Sequence, residues 1–191
     1  MKREFLLAGF GGQGVLSMGL FLAYAGMGEG KKVAYVPSYG AEMRGGTANC
    51  LVTISDREIS SPLVSDPGVV VVMNHPSLLK FEPVVRSGGI LLINSSLAHR
   101  DTKRQDIESY SIPTQELANQ AGFSRGSNMI MLGALLEATG VVDVTETYNY
   151  LVKTFNGRHL DKMPQNMAAI QVGREFMREY RQQSEASIAY A

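Results

Sequence analysis

Glu4-Phe5-Leu6-Leu7-Ala8-Gly9-Phe10-Gly11-Gly12-Gln13-Gly14-Val15 is the stretch that decides the fold. Phe5 to Ala8 is an unbroken apolar run, the pattern of a strand buried on both faces. It breaks into glycines, and residues 15–22 then read as a helix. A strand, a glycine turn and a helix start make the first half of a βαβ unit. Glycine lacks a Cβ, so the backbone can turn at positive φ and approach a neighbour closely. The first N–H groups of the helix have no partner within it and favour an anion or another acceptor.

Working outward, Gly28-Glu29-Gly30-Lys31-Lys32 closes the helix, and residues 33–36 form a second strand that Pro37 should stop. Residues 38–46 read as a glycine-bearing loop and 47–55 as a β-branched strand. Residues 56–58 read as a turn and 59–62 as a short edge piece. Residues 68–73 are continuously apolar, as in a parallel sheet covered on both faces. A helix is expected over 76–86, a buried strand over 88–93, a surface connection over 98–106 and a last strand over 107–113. Thr114 is placed to cap a short helix. The final third reads as helical: 128–139 is strongly apolar and ends at Gly140, and 145–155 and 164–183 carry apolar residues at helical spacing. The expectation is a single α/β domain over residues 1–191. Its sheet is Rossmann-like, open and mostly parallel, with helices on both faces and a helical C-terminal third.

Composition narrows the function. Lysine plus arginine and aspartate plus glutamate are 18 each, so no net field draws the chain to nucleic acid or a membrane. One cysteine, Cys50, excludes an internal disulfide and a four-cysteine metal or iron–sulfur site. The apolar run near the N-terminus is too short for a signal peptide or a membrane span, and a cytoplasmic protein is expected.

Two stretches could carry chemistry. Gly9, Gly11 and Gly14 satisfy G-x-G-x-x-G between strand and helix, which proposes a dinucleotide site. Such a site wants an acidic residue closing the second strand, and Tyr35-Val36-Pro37-Ser38 has none. Gln13 also puts a long polar side chain where a pyrophosphate needs room. A tight turn without ligand, or one contacting a partner subunit or its cofactor, are the other readings. The second stretch is Tyr39-Gly40-Ala41-Glu42-Met43-Arg44-Gly45-Gly46. It follows a strand, so it should lie at the carboxyl edge of the sheet beside the glycine turn. Arg44 before Gly45 and Gly46 presents a guanidinium suited to a carboxylate or phosphate, or pairs locally with Glu42. His75, His99 and His159 are scattered and read as structural or solvent-facing. Asn74, Asn94 and Asn128 read as caps, and Cys50 as a buried apolar residue. No acid–base pair, nucleophile or metal set is recognisable, so no catalytic or metal residue is assigned.

Together, the Gly9–Gly14 turn and the 38–46 loop resemble those of the gamma subunits of 2-oxoacid:ferredoxin oxidoreductases. The later order agrees: Ile59-Ser60-Ser61-Pro62, the 69–73 strand, Gly88-Gly89 before a strand, and Asn128 opening an apolar helix. Length and wording are most similar to the 2-oxoglutarate (KorC-type) gamma subunit, with the 2-ketoisovalerate and pyruvate types as close competitors. Ala41 departs from a loop that often has proline there. The resemblance implies oxidative decarboxylation of a 2-oxoacid with coenzyme A, giving acyl-CoA, CO2 and reduced ferredoxin. It places thiamine diphosphate and Mg2+ on alpha and beta subunits, and [4Fe–4S] clusters on beta or on a delta subunit. No cofactor is then bound by this chain alone. Gly11, Gly12, Gln13, Gly14, Tyr39, Glu42, Arg44, Gly45 and Gly46 would face a cofactor or a subunit interface. A homodimer of the isolated chain stays open, as does the rival of a free-standing nucleotide-binding Rossmann-type domain.

Overall fold

The computed structural model describes residues 1–39, 46–123, 125–143, 148 and 162–189. Its strands are β1 (Lys2–Phe10), β2 (Lys32–Tyr39), β3 (Thr47–Ser55), β4 (Val69–Val72), β5 (Ile90–Asn94) and β6 (Glu108–Ile112). Its helices are α1 (Val15–Gly28), α2 (His75–Phe81), α3 (Thr114–Gln120), α4 (Ser127–Thr139) and α5 (Met163–Ala189). One sheet takes the order β2-β3-β1-β4-β5-β6. β1, β4, β5 and β6 are parallel neighbours, and β3 runs antiparallel between β1 and β2. The fold is thus α/β with a mixed sheet, parallel over the larger part.

The first βαβ unit forms with a correction. β1, α1 and β2 connect as read, but β2 is not beside β1, because β3 folds back from β2 and takes that place. The ends of β1 and β2 are therefore two strand spacings apart, roughly 9–10 Å.

The larger core lies on one face of the sheet, where Phe5, Leu7, Cys50, Val52, Val69 and Val71 meet α1 and α4. α1 sits low on the sheet because glycines face it at two positions: a Cβ on Gly19 would stand 2.4 Å from Cys50 Sγ, and one on Gly26 would stand 3.1 Å from Val33 Cγ2. On the other face Leu6, Ala8, Val70, Val72, Leu91 and Ile93 pack with Leu78 of α2, Val85 and Ala98. β4 is Val69-Val70-Val71-Val72, buried at every position, as expected of a strand covered on both sides.

Several local expectations change. Pro37 does not stop the second strand; β2 runs through it to Tyr39, with Pro37 opposite Cys50. β2 is the sheet's edge, where a missing N–H is tolerated. The helix expected over 76–86 is α2, then a 3-10 turn, Glu82–Val84, because Pro83 cannot supply the next α-helical hydrogen bond. No strand forms at 59–62. Thr114 is the first residue of α3, not its cap, and its buried hydroxyl donates to Asn94 Oδ1 at 2.9 Å. Asn128 lies inside α4, whose cap position is Gly126. The surface connection over 98–106 is clamped by Glu82, which accepts from Arg100 Nη2 at 2.6 Å and from the Lys103 N–H at 3.0 Å. The helix expected over 145–155 falls outside the described residues apart from Tyr148.

Candidate functional site

The carboxyl ends of the parallel strands point to one rim, and connections leave β1 and β4 in opposite directions, toward β2 and toward β5. Open α/β sheets bind ligands at such a switch point. Here the rim is built by the glycine turn. Gly12 (φ 95°) and Gly14 (φ 74°) occupy the left-handed region, so glycine is required at both. Gly14 is the N-cap of α1, whose first turn has no capping side chain and no acidic residue.

The glycine turn meets the end of the second loop at Gly46. The Gly11 N–H donates to the Gly46 carbonyl at 2.9 Å. Tyr39, at the end of β2, is 73% exposed beside them. Gly11, Gly12, Gly14, Ser17, Tyr39 and Ala48 line a groove of about 400 Å³ that opens to solvent. Its floor is fixed from below: Tyr35 donates through its hydroxyl to Leu16 O at 3.2 Å, and Cys50 Sγ lies 3.8 Å from Val15 O. Burial pushes the Cys50 thiol up to about 12, so it stays protonated and unreactive.

Gln13 departs from its companions. Its side chain folds inward, where Oε1 accepts from the Phe10 N–H at 2.6 Å and from Asn74 Nδ2 at 2.7 Å. Nε2 donates to Met73 O at 3.3 Å. The amide therefore occupies the crevice between β1 and β4. Asn128 holds the other side of the turn, donating from Nδ2 to Gly14 O at 3.3 Å. Of the expected site residues, the structure places Gly11, Gly12, Gly14 and Tyr39 along one groove, bonds Gly46 to Gly11, and turns Gln13 away. Glu42, Arg44 and Gly45 lie outside the described residues.

Sequence reading missed two pairings. His75 and His99, read as scattered, stack with ring centroids 6.3 Å apart, because the β4 and β5 ends bring them together. Asn74 does cap α2 through the Ser77 N–H at 2.9 Å, but it also buttresses Gln13. The signal was available: two adjacent parallel strands each run into asparagine, Met73-Asn74 and Ile93-Asn94. At the far end of α1, a second depression of about 380 Å³ gathers Glu29, Lys31, Glu137, Asp143 and Arg174. Its charges pair among themselves, Arg174 with Glu137 at 3.2 Å and Lys31 with Glu29 at 3.5 Å. Among the described residues no group of three or more His, Cys, Asp or Glu converges on a metal position, and no helix is long and apolar enough to cross a membrane.

Residues 4–176 match the Pyruvate ferredoxin/flavodoxin oxidoreductase family. The chain is 39% identical over 175 residues to ketoisovalerate oxidoreductase subunit VorA of Methanothermobacter marburgensis, covering 90% of this chain but 36% of that protein. It is 34% identical over 186 residues to 2-oxoglutarate synthase subunit KorC of the same organism, covering 94% of this chain and 98% of that subunit. Among solved structures, the keto/oxoacid ferredoxin oxidoreductase gamma subunit of Geobacter sulfurreducens superposes with a TM-score of 0.75 at 25% identity, covering 92% of this chain and 98% of that one. The chain spans about a third of the VorA relatives and nearly the whole of KorC. It belongs to the Pyruvate ferredoxin/flavodoxin oxidoreductase family, as a chain of the gamma-subunit type.

Proposed function

We propose that this chain is the gamma subunit of a thiamine-dependent 2-oxoacid:ferredoxin oxidoreductase that works on 2-oxoglutarate. The complex would convert 2-oxoacid, coenzyme A and oxidised ferredoxin to acyl-CoA, CO2 and reduced ferredoxin. Alpha and beta subunits, with or without delta, would hold thiamine diphosphate, Mg2+ and [4Fe–4S] clusters. The donor set here does not fit those groups: the one cysteine is buried with a protonated thiol, and no metal-ligand cluster converges among the described residues. In this reading the chemical steps run on the partner subunits. Its part is to complete the assembly with the groove face turned toward the reaction centre.

The observation that carries this is the Gly11–Gly46 hydrogen bond, which extends the β1–β3 pairing and sets the last residue of the 38–46 stretch beside the glycine turn. End-to-end similarity to a KorC subunit favours 2-oxoglutarate over 2-ketoisovalerate. The filled β1–β4 crevice and the absence of an acidic residue at the end of β2 speak against a nucleotide-binding domain. Co-expression with the thiamine-binding subunits, followed by viologen reduction with 2-oxoglutarate, 2-ketoisovalerate and pyruvate, tests the assignment. The complex is expected to respond most strongly to 2-oxoglutarate, and the isolated chain to none. Dye reduction or thiamine diphosphate binding by the chain alone overturns it, as does micromolar NAD, NADP or FAD affinity. Arg44→Ala should preserve the thermal midpoint of the chain but lower assembly or turnover. Full activity of that variant would remove the 38–46 loop from the function.

A further inference from the structure

We propose that Gln13, with Asn74 and Asn94, is a positioning residue: it touches neither ligand nor partner and fixes the outward pose of Gly11 and Gly12. This presupposes the gamma-subunit assignment, because the pose matters only if the rim serves an assembled enzyme.

The crevice at the switch point needs a filler. The β1–β4 ladder ends at Ala8 and Val72, with the Met73 N–H bonded to Ala8 O at 2.8 Å. Beyond it the Phe10 N–H and the Met73 carbonyl have no strand partner, and a buried amide group left unpaired is costly. The Gln13 amide answers both, accepting from one and donating to the other. Gly9 makes room for it, since a Cβ there would stand 2.7 Å from Gln13 Oε1. Asn94 Nδ2 donates to the same Met73 carbonyl at 3.2 Å, and Asn94 Oδ1 accepts from Thr114 Oγ1 at 2.9 Å and the Ser96 N–H at 3.2 Å. Asn74, Asn94 and Thr114 are all within 4% of full burial. The glycine turn is thus wired through three side chains to the starts of α2 and α3. A primary amide at position 13 offers an acceptor on one edge and a donor on the other whatever the pH.

The test uses the assembled complex. Gln13→Ala is expected to lower kcat about tenfold, the rate equivalent of one lost buried hydrogen bond, with KM for the 2-oxoacid unchanged. Gln13→Glu keeps the acceptor edge but can donate to Met73 O only when protonated. Its kcat should approach wild type at low pH and fall as pH rises, a limb absent from wild type. Leu22→Ala, in the core of α1 away from the rim, serves as a control for general loosening. Wild-type turnover in Gln13→Ala, an equal kcat loss in Leu22→Ala, or a pH-independent Gln13→Glu to wild-type ratio each overturns the proposal. A wild-type complex without 2-oxoacid-dependent turnover defeats the parent assignment instead. Hydrogen exchange on the full chain then decides the positioning role: at least about tenfold faster exchange of the Phe10 amide in Gln13→Ala supports it, and unchanged exchange sinks it.

Discussion

Gly9 and Gly12 lie three residues apart and fail for different reasons when given a side chain. At Gly12 a Cβ meets nothing within 4 Å, so the cost comes from its φ of 95° alone. Gly12→Val should lose about 1–3 kcal/mol to backbone strain. At Gly9 the φ is ordinary, but the Cβ stands 2.7 Å from Gln13 Oε1 and Val15 Cγ2 and 3.0 Å from Met73 Cβ. Gly9→Ala should cost a similar ~1–3 kcal/mol through overpacking. A denaturant double-mutant cycle with Gln13→Ala separates them. The Gly12 penalty should add to that of Gln13→Ala, and the Gly9 penalty should shrink once the amide is gone. Equal coupling at both glycines would contradict the geometry. The spacing of these glycines was plain in the sequence, and so was the obstacle that Gln13 poses to a pyrophosphate. What Gln13 binds was not, because Met73 and Asn74 are some sixty positions away and no local pattern links them.

At the scale of elements, α4 and α5 pack with their backbones in close approach at two glycines. A Cβ on Gly133 would stand 2.0 Å from Ile170 O, and one on Gly173 would stand 1.9 Å from Ile130 O. Those atoms are backbone and cannot swing aside. Gly133→Ala and Gly173→Ala should each cost about 3 kcal/mol or more, the upper end for overpacking. Because both force the same helix separation, the double variant should cost less than the sum. Additive losses in chemical denaturation would show that the helices do not move as a pair. A strongly apolar run announced α4 and a recurring apolar face announced α5, while Gly140, in the left-handed region at φ 58°, marked the end of α4. The crossing was silent, since a helical glycine reads only as a weak position until its neighbour is known. The same asymmetry governs the sheet. Strand patterns located β1, β3, β4 and β5, but strand order is a long-range property. Pro37 misled because its meaning depends on β2 being an edge.

Across the whole molecule, three largely shielded carboxylates join distant parts of the chain. Glu4 on β1 meets Arg86 at 2.7 Å, Glu82 meets Arg100 at 2.6 Å, and Glu137 on α4 meets Arg174 and Arg178 of α5 at 3.2 Å. Burial alone would raise each carboxyl. Hydrogen bonds and charge from Lys2 and Arg86, from Thr102, Arg100 and the Lys103 N–H, and from Arg178 and Arg174 overcome it and hold all three below the usual glutamate value of 4.5. A carboxyl whose folded pKa is depressed stabilises the fold above its unfolded pKa and loses that contribution as pH falls through the folded value. The chain also carries 18 lysines and arginines against 18 acidic residues, so acidification adds net positive charge while these links fail. Thermal midpoints should therefore stay level from neutral pH to about 5 and fall below about 4.5. Glu82→Gln keeps the shape of the side chain but removes the titration. It should lower the neutral-pH midpoint, because the charge-assisted bonds to Arg100 and the Lys103 N–H weaken, and it should flatten the acid limb. A midpoint that rises on acidification, or an acid limb in Glu82→Gln as steep as wild type, would show that this carboxylate does not clamp the 98–106 connection to the sheet's second face.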